Sequence, residues 1–343
     1  MAGTIALRFA LATFLILQGA IAAAENTAQR RAVDLAGRTV ELPAEVRRVA
    51  TLGPVPVINS FVFAIGKGDT LVNGLPPFAR SARWKYQSLI APNLSRQPQA
   101  QGLDNAPQLE TLQRLAPDAV FAMDASTVRT VERTGLPVLF LAWRDAGDIG
   151  RIMQLMGEVF DRRERADAYT RYFDGVLERV RTAVAGVPTE QRPKVLYFSL
   201  KTLTQPHLIA DWWIQAAGGI SVTADGRRTE SVRFTPEQVF AWDPDVLIVS
   251  SPEELAQIRH DARFRRLRAV RERKIHAIPA GVHPWGHRTA EQPLTVLWAA
   301  KLFHPALFAG IDMTAEIKDF YRRFFDYPLS DRQAEEILHG NPQ

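Results

Sequence analysis

One pattern occurs twice in this chain, a domain's length apart, and it limits the fold more than any other feature. Glu110-Thr-Leu112-Gln-Arg-Leu115-Ala-Pro117-Asp118-Ala-Val120-Phe121 reads as the end of a helix, a Pro-Asp turn and a buried strand. Glu237-Gln-Val239-Phe-Ala-Trp242-Asp-Pro244-Asp245-Val-Leu247-Ile248 has the same grammar, with a glutamate eight residues before the aspartate in both copies. The offset, 237 − 110 = 127 residues, is domain-sized. One helix–turn–strand unit is commonplace in α/β proteins; two with matched glutamates predict a duplicated lobe. Helix starts are expected at each copy, at Asn105 with Gln108 and at Thr235 with Pro236 and Gln238.

Other short runs rich in β-branched and aromatic residues fit alternating α/β lobes: Arg48–Leu52, Val138–Ala142, Val195–Ser199 and Ile275–Ile278. Between the lobes, Ala166, Tyr169, Phe173, Val176, Leu177, Val180 and Val184 recur at three- and four-residue spacing, which predicts a helix over 163–185. At 1.5 Å per residue it would be roughly 35 Å long, enough to join two lobes. Its charged positions Arg163, Glu164, Arg165, Asp167 and Glu178 suit a solvated face, and Val187-Pro188 ends it. The division expected is a leader over 1–24, a first lobe over 25–160, a connecting helix over 161–187 and a second lobe over 188–343.

The leader has the order of a cleavable signal peptide. Met1–Arg8 carries one positive charge, Phe9–Leu17 is an apolar run broken only by Thr13, and Ala20-Ile21-Ala22 and Ala22-Ala23-Ala24 offer small-residue cleavage sites. A retained anchor is the alternative, although the run is short for a membrane span. The chain has no cysteine, so it holds no disulfide, zinc-thiolate site, iron–sulfur cluster or cysteine nucleophile. A lipid-bearing cysteine at the cleavage site is excluded too, and a soluble exported protein is expected. The whole chain has 42 Lys+Arg against 37 Asp+Glu, a net +5. Without residues 1–24, which contain Arg8 and no acid, 41 bases against 37 acids leave +4. Residues 70–103 hold Arg80, Arg83, Lys85 and Arg96 and no acid, so this one stretch equals the entire excess. Such local charge points to an anionic small ligand more than to nucleic acid.

From Val33-Asp34-Leu-Ala-Gly37-Arg38 to its C-terminus the sequence resembles the periplasmic substrate-binding proteins of ABC importers, in the class with a rigid helical backbone. The resemblance is carried by Leu115-Ala-Pro-Asp-Ala-Val120, Ala217-Gly218-Gly219, Ala241-Trp-Asp-Pro-Asp-Val-Leu-Ile-Val249 and Leu297-Trp-Ala-Ala-Lys-Leu-Phe-His-Pro-Ala-Leu-Phe308, in this order and spacing. It implies an α/β fold of two Rossmann-like lobes with parallel-rich sheets, joined by one long backbone helix, with a ligand cleft between them. It also implies a monomeric carrier that delivers its ligand to a permease dimer with a cytoplasmic ATPase. Members of the class serve ferric siderophores, haem and cobalamin, and relatives of the fold serve molybdate or tungstate. No intrinsic cofactor is implied. Glu110 and Glu237 stand where the family places one permease-docking glutamate per lobe; capping of their own helices would equally explain them. Gly53-Pro54-Val55-Pro56 departs from the family's small-residue turn after the first strand, which weakens any anion site there.

Ligands of open α/β lobes gather outside the carboxyl ends of strands. In the first lobe, Pro76-Pro77-Phe78-Ala79-Arg80-Ser81-Ala82-Arg83-Trp84-Lys85-Tyr86 offers Arg80, Arg83, Trp84 and Tyr86, and Trp143 with Arg144 follows Val138–Ala142. Aromatic rings supply flat walls, and arginine forks grip carboxylate, catecholate or phosphate. In the second lobe Gly281-Val-His283-Pro-Trp285-Gly-His287-Arg288 follows Ile275–Ile278, with Thr289 and Gln292 read as a capping box for the next helix. His283, Trp285, His287 and Arg288 are therefore the strongest candidates; Ser199, Lys201 and His207 are weaker. Flanking proline and glycine argue against His283 and His287 as a helical metal pair. His260, His276, His304 and His339 read as structural or exposed. A ferric siderophore is the foremost ligand expected, ahead of cobalamin or haem and of an oxyanion. The chain has no Gly-x-Ser-x-Gly elbow, P-loop, His-Glu-x-x-His or dinucleotide fingerprint, so a secreted α/β enzyme is the lesser reading. An adhesin or sensor ectodomain would need neither a cleft nor paired glutamates.

Overall fold

The computed structural model describes residues 29–340, so the expected leader lies outside the described residues. The first lobe opens with an antiparallel hairpin of β1 (Gln29–Val33) and β2 (Thr39–Pro43). It continues through β3 (Val49–Leu52), α1 (Val55–Ala64), α2 (Lys85–Ile90), α3 (Leu109–Leu115), β4 (Ala119–Ala122), α4 (Ala125–Glu132), β5 (Val138–Phe140) and α5 (Asp148–Val159). Helix α6 (Arg163–Val184) leads to the second lobe. That lobe contains β6 (Lys194–Phe198), β7 (Thr204–Gln205), α7 (His207–Ala216), β8 (Ile220–Ser221), β9 (Val232–Arg233), α8 (Pro236–Trp242), β10 (Val246–Val249), α9 (Pro252–Ile258), α10 (Arg268–Arg271) and β11 (Ile275–Ala277). Helices α11 (Gln292–Phe303), α12 (Met313–Phe324) and α13 (Asp331–Leu338) complete it.

Each lobe is built on a parallel sheet, β3-β4-β5 in the first and β11-β10-β6-β8 in the second. Strands β3, β4 and β10 are buried at every residue, as sequences apolar but for Thr51 require of a parallel sheet covered on both faces. The repeated Pro-Asp turn does the same work twice. Helices α3 and α8 stop on a left-handed residue, Ala116 (φ 43°) and Asp243 (φ 41°). The Asp118 carboxylate then accepts from the backbone N–H of Arg47 (2.7 Å) and Arg48 (2.8 Å). The Asp245 carboxylate likewise accepts from Lys194 N–H at 2.8 Å. Each aspartate thus fixes the entry of the neighbouring strand, which sets the parallel pairing of β3 with β4 and of β6 with β10.

Helix α6 buries Ala166, Tyr169, Phe173, Val176, Val180 and Val184, the stripe read from the sequence. It packs on α5 of the first lobe and on α11 and α7 of the second. Arg165 donates to the Ala64 carbonyl in one lobe (2.8 Å) and to Phe324 in the other (2.8 Å), and the Tyr169 hydroxyl donates to the Ala290 carbonyl at 2.7 Å. One helix is therefore fastened to both lobes.

Two capping expectations are corrected and one holds. Thr235 and Gln238 form a reciprocal capping box on α8. Asn105 does not cap α3: it takes left-handed backbone (φ 64°) and its side chain accepts from Gln101, while the Gln108 N–H is taken by the Ala100 carbonyl at 2.8 Å. The chain closes a loop at 101–107 before the helix begins. Nor do Thr289 and Gln292 form a box. The Gln292 amide turns back to the carbonyls of Trp285 (3.0 Å) and His287, and the Thr289 hydroxyl accepts from Glu291 N–H at 3.2 Å.

Candidate functional site

The carboxyl ends of both sheets face one another, and a cavity of about 350 Å³ lies between the lobes. The first lobe contributes Pro54 and Val57, from the turn after β3 and the start of α1, and Trp143, from the segment after β5. The second lobe supplies Glu230 and Ser231 before β9, and His283, His287 and Arg288 after β11. Pro206, Leu208 and Ile209 at the start of α7 complete that wall, beside Thr204.

The loop after β11 is held by a buried carboxylate. Glu291 accepts from the Tyr321 hydroxyl (2.7 Å), the Trp285 indole N–H (3.0 Å) and His283 N–H (3.2 Å). Burial pushes its carboxyl up to about 7, against the pull of these hydrogen bonds. Trp285, Tyr321 and Glu291 are fully buried, so they position the loop from beneath. Above them, the rings of His283 and His287 lie edge to face at 4.9 Å, and Trp84 stands edge-on to His283 at 4.9 Å. Burial first, then the neighbouring Arg288 and Arg83, bring His287 down to about 4; burial, then His287, hold His283 well below the usual histidine range. Both imidazoles are neutral near pH 7. His283 Nδ1 lies 2.9 Å from the Pro284 carbonyl, which can only accept, so the ring proton sits on Nδ1 and Nε2 keeps a free lone pair.

Arg288 is the one lysine or arginine among the residues lining the cavity. Its guanidinium lies over the Trp143 ring of the opposite lobe at 5.3 Å and pairs with Glu230 at 3.0 Å. Arg83 also crosses between lobes, donating to the Ser250 carbonyl at the end of β10, with its Nε buried and without a hydrogen-bond partner. A buried polar chain runs alongside. Thr51 donates to Asn59 (2.9 Å), Asn59 to Gln87 (3.1 Å), and Gln87 to the Val282 carbonyl (2.8 Å).

Of the ten residues singled out in the sequence, four line the cavity: Trp143, His283, His287 and Arg288. Arg83 and Trp84 stand behind them, against the second lobe. The others are elsewhere. Tyr86 is fully buried and donates to the Gln333 carbonyl at 3.1 Å, and Trp285 is spent on Glu291. Arg80 donates to the nearby Leu75 carbonyl at 3.1 Å, and the Arg144 side chain borders a separate hollow of the first lobe with Arg151 and Arg163. Tyrosine and tryptophan satisfy a hydrogen bond as readily in a core as in a cleft, so the motif alone does not separate these places. Ser199 donates to Glu254 at 3.0 Å, Lys201 is exposed, and His207 is buried with Asp211 at 3.0 Å. Among the described residues no group of three or more His, Asp or Glu side chains could hold a metal. Pro54 and Glu230 were missed: the first belongs to a turn read only as a departure, the second to a polar loop without a motif. Glu110 and Glu237 are both exposed, in the first turns of α3 and α8.

A family model described as periplasmic binding protein matches residues 69–281. The molybdate-binding protein MolA of Haemophilus influenzae is 21% identical over 334 residues, covering 87% of this chain and 91% of that protein. The solved structure of MolA bound to molybdate matches with a TM-score of 0.78 at 19% identity, over 88% of this chain and 99% of that one. A periplasmic solute binding protein from Veillonella parvula matches with a TM-score of 0.78 at 24% identity, over 90% and 97%. CeuE of Helicobacter pylori, in a nickel–histidine complex, matches with a TM-score of 0.73 at 17% identity, over 90% and 99%. At these identities the structural likeness is one of fold.

Proposed function

This chain belongs to the periplasmic binding protein family, and from that premise we propose that its cleft captures a compact metal chelate with anionic groups, foremost a ferric siderophore, for an ABC permease. The relatives named above are transport proteins and not enzymes. The observation that carries the ligand class is the mixed lining of the cleft. Trp143, Pro54 and Val57 give an organic ligand an apolar face, while Arg288 and two neutral imidazoles face it with one cation and at least one lone pair. A volume of about 350 Å³ falls at the low end of organic-ligand sites, roughly 300–1000 Å³. It is small for haem or cobalamin. A second reading, a bare oxyanion such as molybdate or tungstate, draws support from MolA. Native mass spectrometry of the protein taken from its own periplasm, with elemental analysis, separates the two. Iron with an organic mass is expected; molybdenum or tungsten without one would select the oxyanion, and an organic ligand without metal would end both readings.

Export by the leader and docking through Glu110 and Glu237 belong to the same proposal. The glutamates occupy equivalent, exposed places in the two copies of the repeat. Charge reversal of both should abolish uptake in cells while ligand affinity in solution is unchanged; intact uptake would remove them from the docking surface.

A further inference from the structure

Within the reading of the cleft as a ligand site, we infer that Glu230 is a built-in stand-in for the ligand's anion, which the ligand must displace to reach Arg288. Glu230 meets the guanidinium at two points, Oε1 with Nη1 at 3.0 Å and Oε2 with Nη2 at 3.1 Å. This is the fork geometry by which arginine grips a carboxylate or another oxyanion. Both side chains line the cavity, and Glu230 is the single acid among the lining residues. The Arg288 side chain is 21% exposed and held against Trp143, whereas that of Glu230 is 62% exposed. The cation is fixed and its partner can swing out into water.

The backbone around Glu230 suits that exchange. The exposed segment 224–231 is pinned at both ends by His207, whose N–H donates to the Glu230 carbonyl (2.9 Å) and whose Nε2 lies 2.8 Å from the Thr223 carbonyl. Arg228 in the same segment donates to the Arg144 carbonyl of the opposite lobe at 3.0 Å. The loop thus holds the carboxylate over the fork without locking its side chain. A neutral or weakly anionic solute cannot repay the lost ion pair. A multiply charged chelate or a dianion can, so Glu230 selects ligands by charge as a competitor carried in the protein.

Molybdate is the probe for the test, as a small dianion that fits an open arginine fork whatever the natural ligand. Its affinity is measured by calorimetry for the full mature protein and for Glu230→Gln, Arg288→Ala and the double variant. Glu230→Gln should bind molybdate roughly three- to tenfold more tightly, the range of a partly exposed to bidentate ion pair, and this gain should vanish in the Arg288→Ala background. Two outcomes overturn the inference: no gain in Glu230→Gln, including no binding by either protein at millimolar molybdate, or an equal gain without Arg288, which would mark a general charge effect. Thermal unfolding of each variant checks that the exposed substitution leaves the fold intact. Because the test does not depend on what the natural ligand is, failure here is distinct from failure of the chelate reading, which the native mass spectrum decides.

Discussion

The two lobes repeat one supersecondary plan, yet they bring unlike chemistry to the cleft. After β3 the first lobe turns directly into α1, a helix whose ten residues are all buried and which has no side-chain cap. Its contribution is Pro54 and Val57, with the Trp143 ring beside them. After β11, the strand equivalent to β5, the second lobe runs through a folded loop to α11, built over Glu291 and carrying His283, His287 and Arg288 outward. Duplicated backbone therefore leaves the ends of the strands free to diverge. The first lobe lines the cleft with apolar groups, while the second sets the polar and charged Glu230, His283, His287 and Arg288 beside its own Pro206, Leu208 and Ile209, so a ligand's anionic groups would turn toward the second lobe.

The comparison can be broken most severely at glycine. In the second lobe a Cβ on Gly281 would collide with the Glu291 carboxylate and the Tyr321 hydroxyl, whereas in the first lobe a Cβ on Gly53 meets nothing within 4 Å. Gly281→Ala should therefore cost about 3 kcal/mol through overpacking. Gly53→Ala should cost about 1 kcal/mol, from its positive φ of 87° alone. Urea unfolding of the two variants measures the contrast, and equal losses would deny that the second lobe's loop is built on close packing.

Glu291 gives the second lobe its own pH dependence. Its carboxyl titrates near 7 in the folded chain and near 4.5 when unfolded, so unfolding releases the proton across that interval. The Glu291 contribution to stability should be lost as pH rises from about 4.5 to 7, by on the order of 3 kcal/mol, against an opposing gain from the buried histidines. Glu291→Gln should abolish this loss. What remains in the variant is the opposite trend of His287, which unfolding allows to protonate between its ordinary value of 6.5 and about 4, so stability should rise with pH over that range. Thermal midpoints across pH 4–8 test both signs. Smaller effects are expected at the cleft wall itself. Arg288→Ala and Trp143→Ala should each weaken binding of the co-purified ligand by about 1–3 kcal/mol. Loss from only one of the two would show that the ligand leans on a single lobe.

Much of this was legible in the sequence because it depends on local rules. The Pro-Asp repeat announced a duplicated α/β lobe, since a helix, a tight turn and a buried strand follow one another directly in both copies. The stripe from Ala166 to Val184 announced α6, since helical period and burial are the same statement. The Thr235–Gln238 box formed because its partners are three residues apart and nothing competes for them. Gln292 has the same spacing from Thr289, but the carbonyls of Trp285 and His287 claimed its amide.

The sequence by itself determined the two-lobe α/β plan, the connecting helix and the loop that bears His283, His287 and Arg288. Only the tertiary structure decided which of the aromatic and cationic residues face the cleft. Tyr86 and Trp285 carry polar tips that a core can satisfy, and it does. Arg83 was drawn across the lobes to Ser250, and Glu230, in a loop with no pattern to mark it, was laid against Arg288 from 58 residues away in sequence. Contacts of that range follow from how the sheets and α6 set the lobes together, and no local periodicity encodes them.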